Sequence, residues 1–213
     1  MSVIRERAKS NFPMVLLTLL SIVQALAFEL LWGEIHEHPA FYQWSWEAAM
    51  AWVRVATMLL GIIIIWSSYA TNVMRFLWVP SSSDTLFPFF IGIVQFVMIE
   101  QLGTGDVAAW LLCLAVLVAV MNWITHHDMS RARQAVENAE FFDQRGRAYL
   151  RDFIPPFLIV ATMVGLSLAI WLTEPDGWLA SVSALLAFSL MCRQLLTSHR
   201  FWETTMSLES TNN

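Results

Sequence analysis

Five side chains carry charge or hydrogen-bonding capacity into stretches that are otherwise hydrocarbon: Gln24, Glu29, Arg54, Gln95 and Glu100. Gln24 and Glu29 lie in SIVQALAFE, residues 21–29, and Gln95 and Glu100 lie in GIVQFVMIE, residues 92–100. Ile-Val-Gln recurs, with a glutamate five residues after each glutamine, at an offset of 71 residues. An apolar phase offers such groups no water. A carboxylate there must take up a proton, hold a cation or pair with a guanidinium, so ionisable residues at membrane depth point to function.

The apolar phase itself follows from composition. The 213 residues are 57% hydrophobic and only 14% charged, with 11 Trp and 14 Phe, which excludes an ordinary soluble domain. A hydrocarbon layer of roughly 30 Å needs about 20 apolar residues per helix. Six segments meet that demand, at about 13–33, 46–68, 86–103, 107–125, 154–173 and 178–196. The expected fold is an all-α integral membrane protein, with six transmembrane helices in three hairpins and both termini cytoplasmic. Residues 1–213 form a single membrane domain. Residues 126–153 form a cytoplasmic helical connector, and residues 203–213 a flexible tail.

Orientation is read from the basic residues. Arg5, Arg7, Lys9, Arg75, Arg131, Arg133, Arg145, Arg147, Arg151, Arg193 and Arg200 all fall in loops or helix ends on one side, and Arg54 is the twelfth of the 12. The opposite loops, GEIHEHPAFYQ, GTGD and TEPDG, hold no Lys or Arg. The positive-inside rule puts the basic side in the cytoplasm, as in a bacterial inner membrane. The first apolar run is too long for the core of a cleavable leader and lacks a small-residue cleavage site, so it reads as a spanning helix. All eleven tryptophans sort to the two membrane–water boundaries, Trp110 to the outer and Trp78 to the inner among them.

Depth brings the polar residues together. At about 1.5 Å per residue, Glu29 lies roughly 24 Å above the inner boundary, Glu100 roughly 21 Å above it, and Arg54 roughly 10 Å below the outer boundary. The expectation is a Glu/Arg/Glu layer in the outer half, where Arg54 neutralises one carboxylate and leaves the other to a cation or proton. Thr18, Ser21, Ala25 and Glu29 form one stripe on the first helix, with Gln24 beside it. Glu47, Arg54, Thr57, Gly61 and Ser68 form another on the second.

The connector carries Arg131, Arg133, Glu137, Glu140 and Asp143 over good helix formers. The fourth helix is therefore expected to run on into the cytoplasm and break near Gly146. Mixed charge suits a solvated docking surface, with Arg131, Arg133, Arg145, Arg147 and Arg151 as its basic groups, better than a nucleic-acid patch. Ser81 to Asp84 read as a cap for the third helix. Nucleotide, serine-hydrolase and zinc-protease motifs do not occur, and a single intramembrane arginine rules out a voltage sensor. No cofactor is expected. His36-Glu37-His38, with Glu34 nearby, is the one metal-like constellation, of copper or zinc type.

Three readings follow. The first is a channel or small transporter, for cations or protons, built on Gln24, Glu29, Arg54, Gln95 and Glu100. The second is a non-catalytic membrane subunit or scaffold, docking a cytoplasmic partner through the connector. The third is a metal-binding membrane protein using His36 and His38. The expected partners are the bilayer and either further copies or other subunits of a membrane complex, and no nucleic acid.

Overall fold

The computed structural model describes residues 3–79, 81–145, 153–173 and 177–210. It is all-helical among those residues, and six helices are long and apolar enough to cross a membrane. The helices are α1 (Val3–Glu37), α2 (Trp46–Arg75), α3 (Ser82–Thr104), α4 (Val107–Ala132), α5 (Ala139–Arg145), α6 (Ile154–Leu172) and α7 (Trp178–Ser210). Short 3-10 turns at Pro39–Tyr42 and Val136–Asn138 join α1 to α2 and lead into α5. Several helices outrun the hydrocarbon that specified them. α1 begins at Val3, well before Pro13, and ends past the expected Gly33.

Helix ends follow local chemistry. Ser45 caps α2 by accepting from the Ala48 N–H at 3.2 Å, and Asp106 caps α4 by accepting from the Ala109 N–H at 2.9 Å, each satisfying a donor the helix cannot. Between α3 and α4 the turn passes through Gly105 at φ +74°, a conformation that glycine adopts without a Cβ penalty.

Packing does not simply follow the chain. α1 lies chiefly against α3, α4 against α6, and α2 against α7, while successive α6 and α7 touch each other far less. The α1–α3 pair is parallel, since Val23 meets Gly92, Gln24 meets Gln95 and Glu34 meets Gly103 in the same order. Gly92 permits the approach: a Cβ there would lie 2.6 Å from the Val23 Cγ1, so a small residue is required for the helices to close. Leu16, Leu20, Ala27, Leu31, Ile91, Met98 and Ile99 fill this seam, each no more than 1% exposed. On the other side, the Ser167 hydroxyl donates to the Ala108 carbonyl at 2.7 Å and pins α6 to the start of α4.

The tryptophan belt is less complete than expected. Trp32, Trp44, Trp46, Trp171 and Trp178 are exposed, but Trp110 is fully buried and Trp78 is 2% exposed. Trp78 is held by its indole N–H, which donates to Asp84, so its ring packs inside the chain and not on its surface. The break after α4 also comes earlier than Gly146, which lies outside the described residues. α4 stops at Ala132 because the Asn138 side chain takes over its last carbonyls: its amide donates to Ala132 O at 2.7 Å.

Candidate functional site

Gln24 and Gln95, the two glutamines of the recurring segment, face each other. The Gln24 amide donates to the Gln95 Oε1 at 2.9 Å, and the Gln95 amide donates back to the Gln24 Oε1 at 3.1 Å. Both side chains are buried, Gln95 completely. A reciprocal amide pair uses one donor and one acceptor from each residue, so the pair closes on itself within apolar packing and lines no opening.

The glutamates go the other way. Glu29 and Glu100 are both exposed. Five residues of α-helix turn through about 500°, leaving a Glu roughly 140° around from its Gln, so burying the amides sends the carboxylates out. Thr18 and Ala25 lie exposed on the same α1 face, with Ser21 partly so. The expected stripe is therefore mostly an outer surface of this chain, joined to α2 at one point, where the Trp66 indole donates to the Ser21 hydroxyl at 3.1 Å. Glu29 opens on a shallow groove with Leu26, Leu30, Gly33, Glu34, Glu37 and, from α3, Phe96.

Arg54 does not join them. It is 6% exposed, and its Nε and Nη1 are buried without a hydrogen-bond partner. The carboxylate whose field reaches it is that of Asp106, the α4 cap. The expected Glu/Arg/Glu layer is thus not assembled within one chain: Arg54 is inside and both glutamates are outside.

The densest polar assembly lies at the opposite end of the bundle and centres on Asp84, 1% exposed. Arg131 Nη1 donates to Asp84 Oδ1 at 2.6 Å and Oδ2 at 2.8 Å, and to the Ser81 hydroxyl at 2.9 Å. Its Nη2 donates to the Val79 carbonyl. The Ser81 N–H donates to Asp84 Oδ2 at 3.0 Å, forming the return half of a capping box. The Ser81 hydroxyl donates to Oδ1 at 2.9 Å, and the Trp78 indole donates to Oδ2 at 3.3 Å. Asn138 ties the same segment down, accepting from the Leu77 N–H at 3.2 Å and donating to the Leu77 carbonyl at 2.7 Å. Phe76 packs on Phe141 and Phe142.

The segments near both chain ends reach this end of the bundle. Lys9 donates to Glu137 at 2.6 Å, and Arg75 lies over the rings of Phe201 and Trp202. The Ser81–Asp84 cap was expected; its partner Arg131 was assigned instead to a docking surface. Arg133 lies over the Phe142 ring. Arg145 closes α5, and Arg147 and Arg151 lie outside the described residues. A signal for the Asp84–Arg131 pair did exist: an acidic N3 residue and an arginine in the last turn of the next helix share one bundle end.

Among the described residues, no three His, Cys, Asp or Glu side chains gather as metal ligands. His38 Nδ1 lies 3.3 Å from Glu34 Oε1, and His36 is exposed. Cys113 and Cys192 are free thiols.

Comparison with known protein families, with curated proteins and with solved structures finds no match to this chain.

Proposed function

We propose that the protein is a non-conducting, multi-pass subunit of a membrane complex, whose α1 flank, at the groove beside Glu29, seats a transmembrane helix carrying a lysine or arginine. The observation that carries this reading is the division within the recurring segment. The buried amides Gln24 and Gln95 are mutually satisfied, while Glu29 and Glu100 stand outside at one level. A charged side chain facing lipid costs up to about 2.5–3.5 kcal/mol at the bilayer centre on insertion scales, and less toward the boundary. A cationic side chain from a neighbouring helix removes that cost, and Gly33 leaves the groove room for it. A second copy of the chain would bring carboxylate against carboxylate across a symmetric contact, which disfavours a homo-oligomer through this flank. In this reading the end that gathers Lys9, Arg75 and Arg131 is cytoplasmic by the positive-inside rule, in a bacterial inner membrane.

A cation or proton path is the competing reading, and one pair of measurements separates the two. In native membranes, blue-native electrophoresis is expected to show the protein in a larger complex that Glu29→Lys with Glu100→Lys dissolves. Purified protein in liposomes is expected to pass neither protons nor monovalent cations. A monomer-sized band in native membranes, or a flux abolished by Glu29→Gln and Glu100→Gln, would overturn the proposal.

A further inference from the structure

A half-open cavity of about 530 Å³ lies between α2, α4, α6 and α7 in the half of the bundle nearer Arg193, whose side chain is exposed at its mouth, well inside the roughly 300–1,000 Å³ of small-ligand sites. It exists because consecutive α6 and α7 lean on different partners, α4 and α2, and leave a wedge between them. Most of its wall is hydrocarbon, including Ile64, Ile65, Leu114, Leu117, Ile159 and Leu190. From Leu114 to Thr125 along α4 the wall runs about 16 Å, at 1.5 Å per residue, parallel to the direction in which lipid chains lie.

Six polar side chains line it, Ser68 among them, and three are already used. Asn122 donates to the Val118 carbonyl, Thr125 to Met121 and Thr197 to Arg193. Arg193 and Gln194 also line the cavity. Among the described residues their side chains have no hydrogen-bond or ion-pair partner. A long apolar slot ending in an unpaired guanidinium has the pattern of an anionic amphiphile: a chain for the walls and a phosphate for the fork of Arg193.

We infer that this cavity binds one acyl chain of an anionic membrane phospholipid, with its phosphate at Arg193. A phosphate ion alone would gain nothing from the apolar walls, and a zwitterionic lipid would gain less from Arg193. Gly61 supplies a direct way to close the slot, since a Cβ added there meets nothing within 4 Å and a larger side chain can grow into the space without disturbing its own surroundings.

The test is native mass spectrometry of the full chain released from detergent, after titration with phosphatidylglycerol, phosphatidylcholine of the same chains, or inorganic phosphate. Wild type is expected to retain one phosphatidylglycerol, preferred over phosphatidylcholine by about tenfold, as for one charge-assisted contact. Arg193→Gln should bring that ratio toward one, and Gly61→Leu should lower occupancy by both lipids. Val118→Phe fills the same space from α4 and makes the same prediction if Gly61→Leu folds poorly. Equal retention of the two lipids by wild type, unchanged occupancy in the filled variants, or a phosphate adduct as persistent as the lipid would overturn the assignment.

Discussion

The two ends of the bundle treat buried charge in opposite ways. At one end the Asp84 carboxylate receives donors from Arg131, Ser81 and Trp78, so both of its oxygens have a protein partner, although the nearby Tyr69 hydroxyl and His127 Nε2 are buried without one. Toward the other end Arg54 is also buried, yet two of its nitrogens have no partner, and Glu29 and Glu100 face outward. A saturated cluster is a structural device, since it leaves no valence for a ligand. An unsaturated one is held in place by the rest of the fold. The Asp84 carboxylate is partnered within one chain; the Arg54 guanidinium is not.

The largest way to break this contrast is to remove one member of the saturated pair. Arg131→Met leaves Asp84 buried and charged, and should lower the unfolding free energy by about 3–5 kcal/mol, measured by denaturant titration in mixed micelles. A loss comparable to that of an exposed surface pair would mean that the inner cluster is not the brace described. The opposite sign is expected at the outer end. Arg54→Met replaces an unpaired buried charge by hydrocarbon and should stabilise the isolated protein by about 1–3 kcal/mol, in the same titration. Destabilisation by Arg54→Met would show that Asp106 compensates the charge fully, and the contrast would close.

The glutamine pair lies between these extremes. Gln24→Leu strands the buried Gln95 amide and should cost about 1–2 kcal/mol. Adding Gln95→Leu should recover most of it, so that a double-mutant cycle gives a coupling of roughly 1 kcal/mol. Additive losses would mean that the two amides act independently, as groups lining a path would.

The six spans were legible because twenty-residue apolar runs have few other uses, and the α3 cap was legible because Ser-x-x-Asp at a helix start is a local device. What failed was assigning faces. Depth alone sets Gln24 beside Glu29, although five residues rotate by about 140° on a helix and carry the two to different faces. Arg54 is a failure of another kind. Its depth agrees with that of the glutamates, but which neighbour it meets depends on α2 packing against α7 and α1 against α3, and non-sequential pairing of that sort leaves no local mark. Arg131 was misassigned because an arginine in a hydrophilic connector looks solvated until its partner from a different hairpin is known. The cavity was illegible for the same reason, since it arises from α6 and α7 choosing different neighbours.

Smaller effects are expected where the chain faces outward. In the isolated protein Glu29→Gln and Glu100→Gln should each change stability by no more than about 0.5 kcal/mol, as exposed substitutions do. In native membranes the same pair should weaken the larger complex. A large loss in the purified protein would mean that these carboxylates already have partners within the chain, which would sharpen the contrast in the wrong direction for the proposed flank.

The smallest expected effect belongs to the ion pair that ties α1 to the connector. Lys9 is buried while Glu137 is half-exposed, and the hydrogen bond from Lys9, followed by one from its own backbone, holds the Glu137 carboxyl below the ordinary carboxylate value. A group whose pKa is depressed on folding contributes stability at any pH above its unfolded value, about 4.3 for glutamate, and loses it as pH falls through the folded value. The tie should therefore be complete at neutral pH and fade only in acid. A spin label at the exposed Gln134 reads it out: Glu137→Gln should leave the label more mobile than wild type at pH 7, and the difference should vanish on acidification as wild type protonates. A difference that persisted unchanged into acid would assign the effect to the shape of the side chain and not to its charge, and the inner end would then owe its brace to Asp84 and Asn138 alone.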